Sequence, residues 1–316
     1  MSTILNEKKI YITGHKGLLG SAILKKLIEQ GCKNILVKTR EELDLCSQQE
    51  VYSFLQSEKP DIVVHAAAKV GGIGANINFP ATFISENLIM THNVIWGSYL
   101  AEVNELLFVG TSCSYPRENR QPIKEEDLLS GYFEPTNKPY ALAKVSGMCL
   151  CDSISQQFGR NYFSVIFPNL YGPGDNFNLE TSHVVGALIN KFLHALPTKK
   201  VVLWGSGNVK RELMHSADAA NACLFLLENN LKGHINAGPG KSYTIKEIAA
   251  MVQQISGHKG NISWDITKPE GFPEKTLDIT KIKALGWRAE IELYEGLSQV
   301  YQWYSNILER QCIFNV

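Results

Sequence analysis

Tyr140 and Lys144 stand four positions apart in Pro139-Tyr140-Ala141-Leu142-Ala143-Lys144. On a helix that spacing puts both side chains on one face, one turn apart. An ammonium group beside a tyrosine lowers the phenol below its reference pKa of about 10. Such a tyrosine exchanges a proton with a carbonyl or an alcohol near neutral pH. Thr111 or Ser112, in Gly110-Thr111-Ser112-Cys113-Ser114-Tyr115-Pro116, offers a hydroxyl to hold the same oxygen. By itself a Tyr-x-x-x-Lys is common and describes many amphipathic helix surfaces. Here it follows a Gly-x-x-Gly-x-x-Gly loop near the start of the chain and a Thr-Ser-Cys segment behind an apolar run. That company favours proton transfer to a carbonyl.

The glycine loop supplies the second half of such chemistry. Ile10-Tyr11-Ile12-Thr13 reads as a strand, Gly14, Gly17 and Gly20 follow, and a helical pattern runs from Leu18 through Leu19 to Gln30. Strand, glycine turn and helix form the context of a dinucleotide fingerprint. Gly14 permits the tight turn, Gly17 lets backbone approach a pyrophosphate, and Gly20 lets helix pack on strand. The helix N-terminus offers free N–H groups to the phosphates. After the second strand, Ile35-Leu36-Val37, an NAD enzyme usually carries an acid for the ribose 2′-hydroxyl. This chain has Lys38-Thr39-Arg40 there. Arg40 can clamp a 2′-phosphate with two N–H bonds, and Lys16 adds charge, so NADP is expected over NAD. The plainer reading makes both solvated cations, diluted by Glu41 and Glu42.

The intervening elements must place these groups. Gln48–Glu58 has helical periodicity, and Ile62-Val63-Val64-His65-Ala66-Ala67 is an unbroken apolar strand of the kind buried on both faces of a parallel sheet. Ala66, Ala67 and Ala68 leave room for a cofactor, and 71–76 reads as a flexible loop at that strand's end. Phe83–Val103 is a long helix, 106–109 a strand delivering Thr111, and 117–137 a polar substrate-side connection. The helix with Tyr140 and Lys144 runs to Phe158, and 163–167 is another strand. This alternation predicts an α/β fold with a doubly wound parallel (Rossmann) sheet.

Beyond residue 173 the pattern changes. Breaks such as Gly238-Pro239-Gly240 and Lys268-Pro269-Glu270-Gly271-Phe272-Pro273 separate short elements. Residues 1–173, completed by part of 212–240, are expected to form the NADP-binding domain. Residues 174–316 are expected to form mainly a smaller mixed α/β substrate-binding lobe, with the chain crossing back near Ala217–Leu227 and closing in a helix over Tyr294–Leu308.

Composition excludes other classes. Lys+Arg and Asp+Glu are both 31, so no overall field favours nucleic acid or a membrane surface, and an anionic ligand must be held locally. No run approaches the roughly 20 apolar residues of a membrane span. The N-terminus lacks the apolar core of a signal peptide. The 7 cysteines are odd in number and lack metal-ligand spacing, so reduced thiols in a cytoplasmic protein without a metal are expected.

Several strings together resemble one group of the extended short-chain dehydrogenase/reductases. They are Gly14-His15-Lys16-Gly17, Ala66-Ala67-Ala68-Lys69-Val70-Gly71-Gly72-Ile73, Glu134-Pro135-Thr136-Asn137-Lys138-Pro139-Tyr140, Asn169-Leu170-Tyr171-Gly172-Pro173 and Ser182-His183-Val184. Over nearly the whole chain they look like the GDP-L-fucose synthase family, whose members are GDP-4-keto-6-deoxy-mannose 3,5-epimerase/4-reductases. The resemblance implies that Tyr140 protonates the C4 oxygen as hydride arrives from NADPH. It implies that Lys144 holds the nicotinamide ribose and that Thr111 bonds the C4 oxygen, where a serine is usual. Cys113 and His183 match the epimerisation pair, base on one face and acid on the other. A lone Cys or His more simply fills a core or bonds at a surface; the motif contexts reverse that.

Further cofactor contacts implied are Asp44 and Leu45 by the adenine, with Pro168, Asn169, Leu170 and His183. Trp204, Arg211 and Asp278 match sugar-nucleotide positions, and Lys191 stands where an arginine is usual, keeping charge but losing the bidentate fork. Arg211 is otherwise a plain surface cation. The family also implies a homodimer through the helices Phe83–Val103 and Tyr140–Phe158. Two other functions fit the sequence. One is a C4 reductase of a related GDP-sugar, such as a GDP-4-keto-6-deoxy-heptose, with little epimerisation. The other is a non-catalytic nucleotide sensor, against which the intact Thr111/Tyr140/Lys144 set counts.

Overall fold

The computed structural model describes residues 4–268 and 271–314, with side chains described as far as residue 310. Pro269 and Glu270, inside one expected break, lie outside the described residues. The chain opens with β1 (Ile10–Thr13), α1 (Leu18–Glu29), β2 (Ile35–Val37), α2 (Gln48–Glu58) and β3 (Ile62–His65). Then come α3 (Ile73–Asn78), α4 (Pro80–Leu100), β4 (Glu105–Thr111), α5 (Lys138–Phe158) and β5 (Asn161–Phe167). These strands join β9 (Gly233–Asn236) in a six-stranded sheet of order β2-β1-β3-β4-β5-β9. Every neighbouring pair is parallel. All four residues of β1 and of β3 are buried, as a sheet covered on both faces requires.

The chain leaves β1 outward to β2 and returns past β1 to β3. That reversal opens a crevice beyond the carboxyl ends of β1 and β3, where open α/β sheets bind ligands. Thr13 braces the crevice. Its Oγ1 pairs with His65 Nδ1 at 2.8 Å and accepts from the Ala67 amide at 3.1 Å. Burial holds the His65 imidazole neutral, pushing its pKa down to about 3. Helices α2, α4 and α5 pack side by side along the sheet, while α1 packs with α7 (Ser216–Glu228).

The chain after β5 supplies β6 (Asn169–Tyr171), α6 (Val184–His194), β7 (Val201–Trp204) and β8 (Lys210–His215). After α7 and β9 follow β10 (Ser242–Thr244), α8 (Ile245–Ser256), β11 (Ile262–Asp265), α9 (Thr280–Ala284) and α10 (Leu293–Phe314). A three-stranded sheet runs β10-β8-β6, and β7 pairs with β11 in parallel. Apolar side chains of α6, α8 and α10 form a second core, including Ile189, Ile248 and Leu297. Thr244 starts α8 with a reciprocal cap: its Oγ1 accepts from Glu247 N at 3.2 Å, and Glu247 Oε2 accepts from Thr244 N at 2.7 Å.

Three local expectations are corrected. Residues 73–78 form α3 rather than a flexible loop, because Asn76 Nδ2 donates to the Gly71 and Gly72 carbonyls at 2.9 and 3.1 Å and closes the segment. The long helix begins earlier, with Pro80 at its first turn, where a missing N–H costs nothing. Within 117–137, Ile123 and Glu125 are buried, so the connection is more than a polar loop.

Buried Asn236 at the end of β9 explains that last difference. It accepts from Tyr115 Oη at 2.6 Å and donates to the Ile123 and Asp278 carbonyls at 3.0 and 3.2 Å. Its own amide donates to Glu125 Oε1 at 3.0 Å. One side chain thereby ties β9 to the segments around residues 115–125 and 278. Asn236→Leu leaves a hydroxyl and two carbonyls without this partner, and should cost about 2–4 kcal/mol. In a thermal melt we expect a fall of roughly 5–10 °C; an unchanged melting temperature contradicts this account.

Candidate active site

The glycine loop forms a close-fitting turn over the end of β3. Gly14 has φ +72°, and a Cβ there would sit 2.8 Å from Ala67 Cα, so backbone meets backbone. The Gly17 amide donates to the Gly14 carbonyl at 2.9 Å. Gly20 lies against that carbonyl, leaving no room for a side chain. Gly17 caps α1 without a side-chain bond, so the first-turn N–H groups point toward the crevice unspent by a side chain. Lys16 and Gly17 are exposed, Leu18 is half-buried, and Leu19 sits in the core. His15 Nδ1 is buried with no partner. A cradle without side chains, open amides and an unpaired polar atom fit a dinucleotide phosphate.

Arg40 lies exposed just past β2. Of the two acids that follow it, Glu41 lies close enough to Lys16 and Arg40 to interact with both charges, while Glu42 folds back on its own turn. Its Oε2 accepts from the Thr39 amide at 2.7 Å, and its carboxylate lies 3.8 Å from Lys38 Nζ. Asp44 and Leu45 are fixed in place: Asp44 Oδ1 accepts from the Cys46 amide at 3.0 Å, and Asn93 Nδ2 donates to the Leu45 carbonyl at 2.9 Å. Ala66 and Ala67 follow the carboxyl end of β3, Pro168 links β5 to β6, and Asn169 and Leu170 open β6.

The strand β4 ends at Thr111, which caps the short turn Ser112–Ser114. Its Oγ1 accepts from the Cys113 amide at 3.3 Å, leaving the hydroxyl proton free to donate elsewhere. Cys113 is half-buried and lies close enough to Tyr140 that a negative sulfur would disfavour the phenolate. Lys144 is buried in α5. Its Nζ donates to the Val109 carbonyl at 2.8 Å and sits 4.7 Å from the Phe108 ring centroid.

Here the expected depression of the tyrosine is overturned. Burial first, and Cys113 second, push the Tyr140 phenol above its ordinary value. Burial likewise pushes Lys144 down to about 7, so its charge is weakened near neutral pH. Spacing of four places both side chains on one helix face, but Lys144 is directed at a strand carbonyl. Desolvation outweighs any help it gives the phenolate.

His183 starts α6 as its N-terminal flanking residue. Its side chain is exposed, and the protein packed around it lowers its pKa through desolvation. The segment before it is drawn onto the crevice by Gly72, whose amide donates to the Thr181 carbonyl at 3.0 Å. A Cβ at Gly72 would stand 2.7 Å from the Ser182 carbonyl oxygen.

Arg211, half-buried on β8, donates from Nη1 to the Phe272 carbonyl at 2.6 Å. Lys191 donates to the Val202 carbonyl at 2.7 Å and lies 5.9 Å from the Trp204 ring centroid. Lys268 Nζ stands 5.5 Å from the same ring, whose residue is 52% exposed. An exposed indole flanked by two cations suits a base stacked beside phosphates. Asp278 has a structural occupation at the start of α9: the Thr280 hydroxyl and then its amide, which donates to Oδ1 at 2.8 Å, lower its pKa.

Lys275 was not foreseen. It is buried, and its Nζ lies 3.5 Å from Cys113 Sγ and 3.8 Å from the Phe272 ring centroid. The partners are 162 residues apart in sequence, and no local motif marks the lysine. Among the described residues, no group of three or more His, Cys, Asp or Glu could hold a metal ion. Nor is any helix long and apolar enough to cross a membrane.

The sequence and fold have known counterparts. The model of the NAD dependent epimerase/dehydratase family matches residues 10–238. GDP-L-fucose synthase 1 of Arabidopsis thaliana is 47% identical over 307 residues, spanning 96% of this chain and 95% of its own. GDP-L-fucose synthase of Escherichia coli (strain K12) is 43% identical over 312 residues, spanning 95% and 97%. Among solved structures, the GDP-mannoheptose C4 reductase of Campylobacter jejuni with NADP bound has a TM-score of 0.88. It is 36% identical and covers 95% of this chain and 98% of its own.

Arg40→Ala tests the cofactor geometry. A single charge-assisted contact contributes about 1.5–3 kcal/mol, so NADPH binding should weaken roughly tenfold to a hundredfold while NADH binding changes little. Fluorescence titration of both cofactors measures this. Equal weakening of the two would show that Arg40 does not contact the 2′-phosphate.

Proposed function

The chain belongs to the NAD dependent epimerase/dehydratase family, and on that premise we propose that it uses NADPH to reduce the C4 ketone of a GDP-4-keto-6-deoxy sugar and epimerises C3 and C5 of the same ring. The observation that carries this reading is the juxtaposition of Cys113 with Thr111 and Tyr140. A sulfur base stands beside the two hydroxyls that would polarise the ketone.

NADPH supplies the hydride. Thr111 and Tyr140 donate their O–H groups to the C4 oxygen. The raised phenol starts as the protonated acid, the form that reduction consumes. The same donors stabilise an enolate, whose negative charge rests on that oxygen. Cys113 takes the proton from C3 or C5, and the C–H electron pair moves into the enolate. His183 returns a proton to the opposite face of the carbon. Lys144, fixed to Val109, holds the nicotinamide ribose. Gly14, Lys16, Gly17, Leu18, Leu19, Gly20, Arg40, Asp44, Leu45, Ala66, Ala67, Pro168, Asn169 and Leu170 line the cofactor path. Arg211 and Lys191 hold the diphosphate, Trp204 stacks on guanine, and Asp278 contacts the sugar nucleotide from just before α9.

Residues 1–173 with part of 212–240 serve the cofactor, and 174–316 mainly serve the sugar nucleotide. The protein works in the cytoplasm as a homodimer. Supporting the dimer, α4 and α5 lie side by side and expose Leu88, Ile89, Leu100 and Phe158. We expect a dimer by analytical ultracentrifugation; a monomer at all concentrations would remove this part.

A second reading, C4 reduction of a GDP-4-keto-6-deoxy-heptose without epimerisation, draws support from the likeness to the heptose reductase. NMR in D₂O with GDP-4-keto-6-deoxy-mannose decides between them. Tyr140→Phe should slow reduction by roughly 10²–10⁴-fold. Cys113→Ala should abolish deuterium entry at C3 and C5 while the unepimerised ketone is still reduced. Wild-type product without deuterium at either carbon would hand the case to the reductase-only reading. No NADPH oxidation with either sugar would leave a nucleotide sensor.

A further inference from the structure

Lys275 sits in a strap that crosses from the second lobe to the crevice, and the strap is fastened on both sides of it. The Phe272 carbonyl accepts from Arg211, and the Pro273 carbonyl accepts from the Lys210 amide at 2.8 Å. Beyond it, the Thr276 amide donates to Gln121 Oε1 at 2.8 Å, and the Leu277 amide donates to Glu212 Oε2 at 2.7 Å. Glu212 is buried, and its other oxygen accepts from the Gly240 amide at 2.6 Å. The backbone around Lys275 therefore has little freedom, and the amine is aimed by construction.

It is aimed at sulfur. Nζ donates toward Cys113 Sγ at 3.5 Å, with the Phe272 ring on its flank. A buried ammonium is costly without a counter-charge. Three other groups act on the pair. Glu134, from the segment before α5, favours the ammonium, and Arg211, from β8, opposes it. Tyr140, from α5, lies beside the sulfur. Glu134 is engaged elsewhere: Arg117 Nε lies 3.4 Å from its Oε2, and Thr136 donates from Oγ1 to its Oε1 at 3.3 Å. Burial lowers Lys275, while the sulfur raises it. A neutral thiol is a weak acceptor, whereas a thiolate repays an ammonium in this environment.

We propose that Lys275 is the counter-charge of Cys113, donating to its sulfur and holding it as the thiolate that takes the proton beside the ketone. This rests on the reading of Cys113 as the epimerisation base. The C–H bond breaks, an S–H bond forms, and the electron pair enters the enolate. Lys275 touches the sulfur rather than the sugar, so it is a positioning residue, set by charge.

The test is alkylation of Cys113 by iodoacetamide across pH, read by mass spectrometry of its own peptide. Lys275→Met and Lys275→Gln, with NADPH binding as the fold control, should alkylate roughly tenfold or more slowly at pH 7. The gap should close by about pH 10, where the thiol ionises unaided. Lys275→Arg should keep the wild-type profile. Wild-type rates in Met and Gln, or a deficit constant across pH, overturn the proposal. A reciprocal measurement leaves Lys275 in place. In Cys113→Ala, acetic anhydride should acetylate Lys275 faster at pH 7, and an unchanged rate also overturns it. Neither readout depends on epimerisation, whose failure would appear separately as wild-type product without deuterium.

Discussion

The hydrogen bond from the Lys144 ammonium to the Val109 carbonyl joins α5 to β4 inside the protein. Both partners lie where water does not compete, so the bond fixes one element against the other rather than merely decorating a surface. Helix α5 carries Tyr140, and β4 delivers Thr111 and the turn with Cys113. The relation among those three groups depends on that crossing and on the Phe108 ring beneath the amine. The cost is a lysine that gives up much of its charge at neutral pH.

Desolvation shifts several of the groups around the crevice. It raises the Tyr140 phenol and lowers Lys144, His183 and Lys275. Where burial opposes a charge, neighbouring charges decide where the proton goes, as the Cys113 sulfur does for Lys275. A ketone oxygen placed among such groups meets donors that need little reorganisation when charge develops on it.

The second lobe reaches this chemistry through backbone fastenings. Glu212 holds the Gly240 and Leu277 amides, and Asn236 holds the Ile123 and Asp278 carbonyls. Buried polar side chains in those positions specify one arrangement of loops that have little regular structure of their own. Arg211 is bound to the same strap through Phe272, so a cation that suits the diphosphate and the lysine at the sulfur share one support.

The local features were legible because their physics is local. The turn at Gly14, the helix that follows it and the one-turn spacing of Tyr140 and Lys144 need only neighbouring residues. The run at 10–13 announced a strand, and the apolar run from 62 announced one buried on both faces, which is what both are. Spacing gave the face on which Lys144 lies, but not the carbonyl it meets or the loss of water that reverses the expected shift of Tyr140. Asp278 matches a sugar-nucleotide position in sequence, and in the fold its carboxylate accepts from the Thr280 amide. Lys275 is one lysine among many until the strap brings it to Cys113. Hydrogen bonds across 162 residues and the exclusion of water are properties of packing, and no neighbour in the chain encodes them.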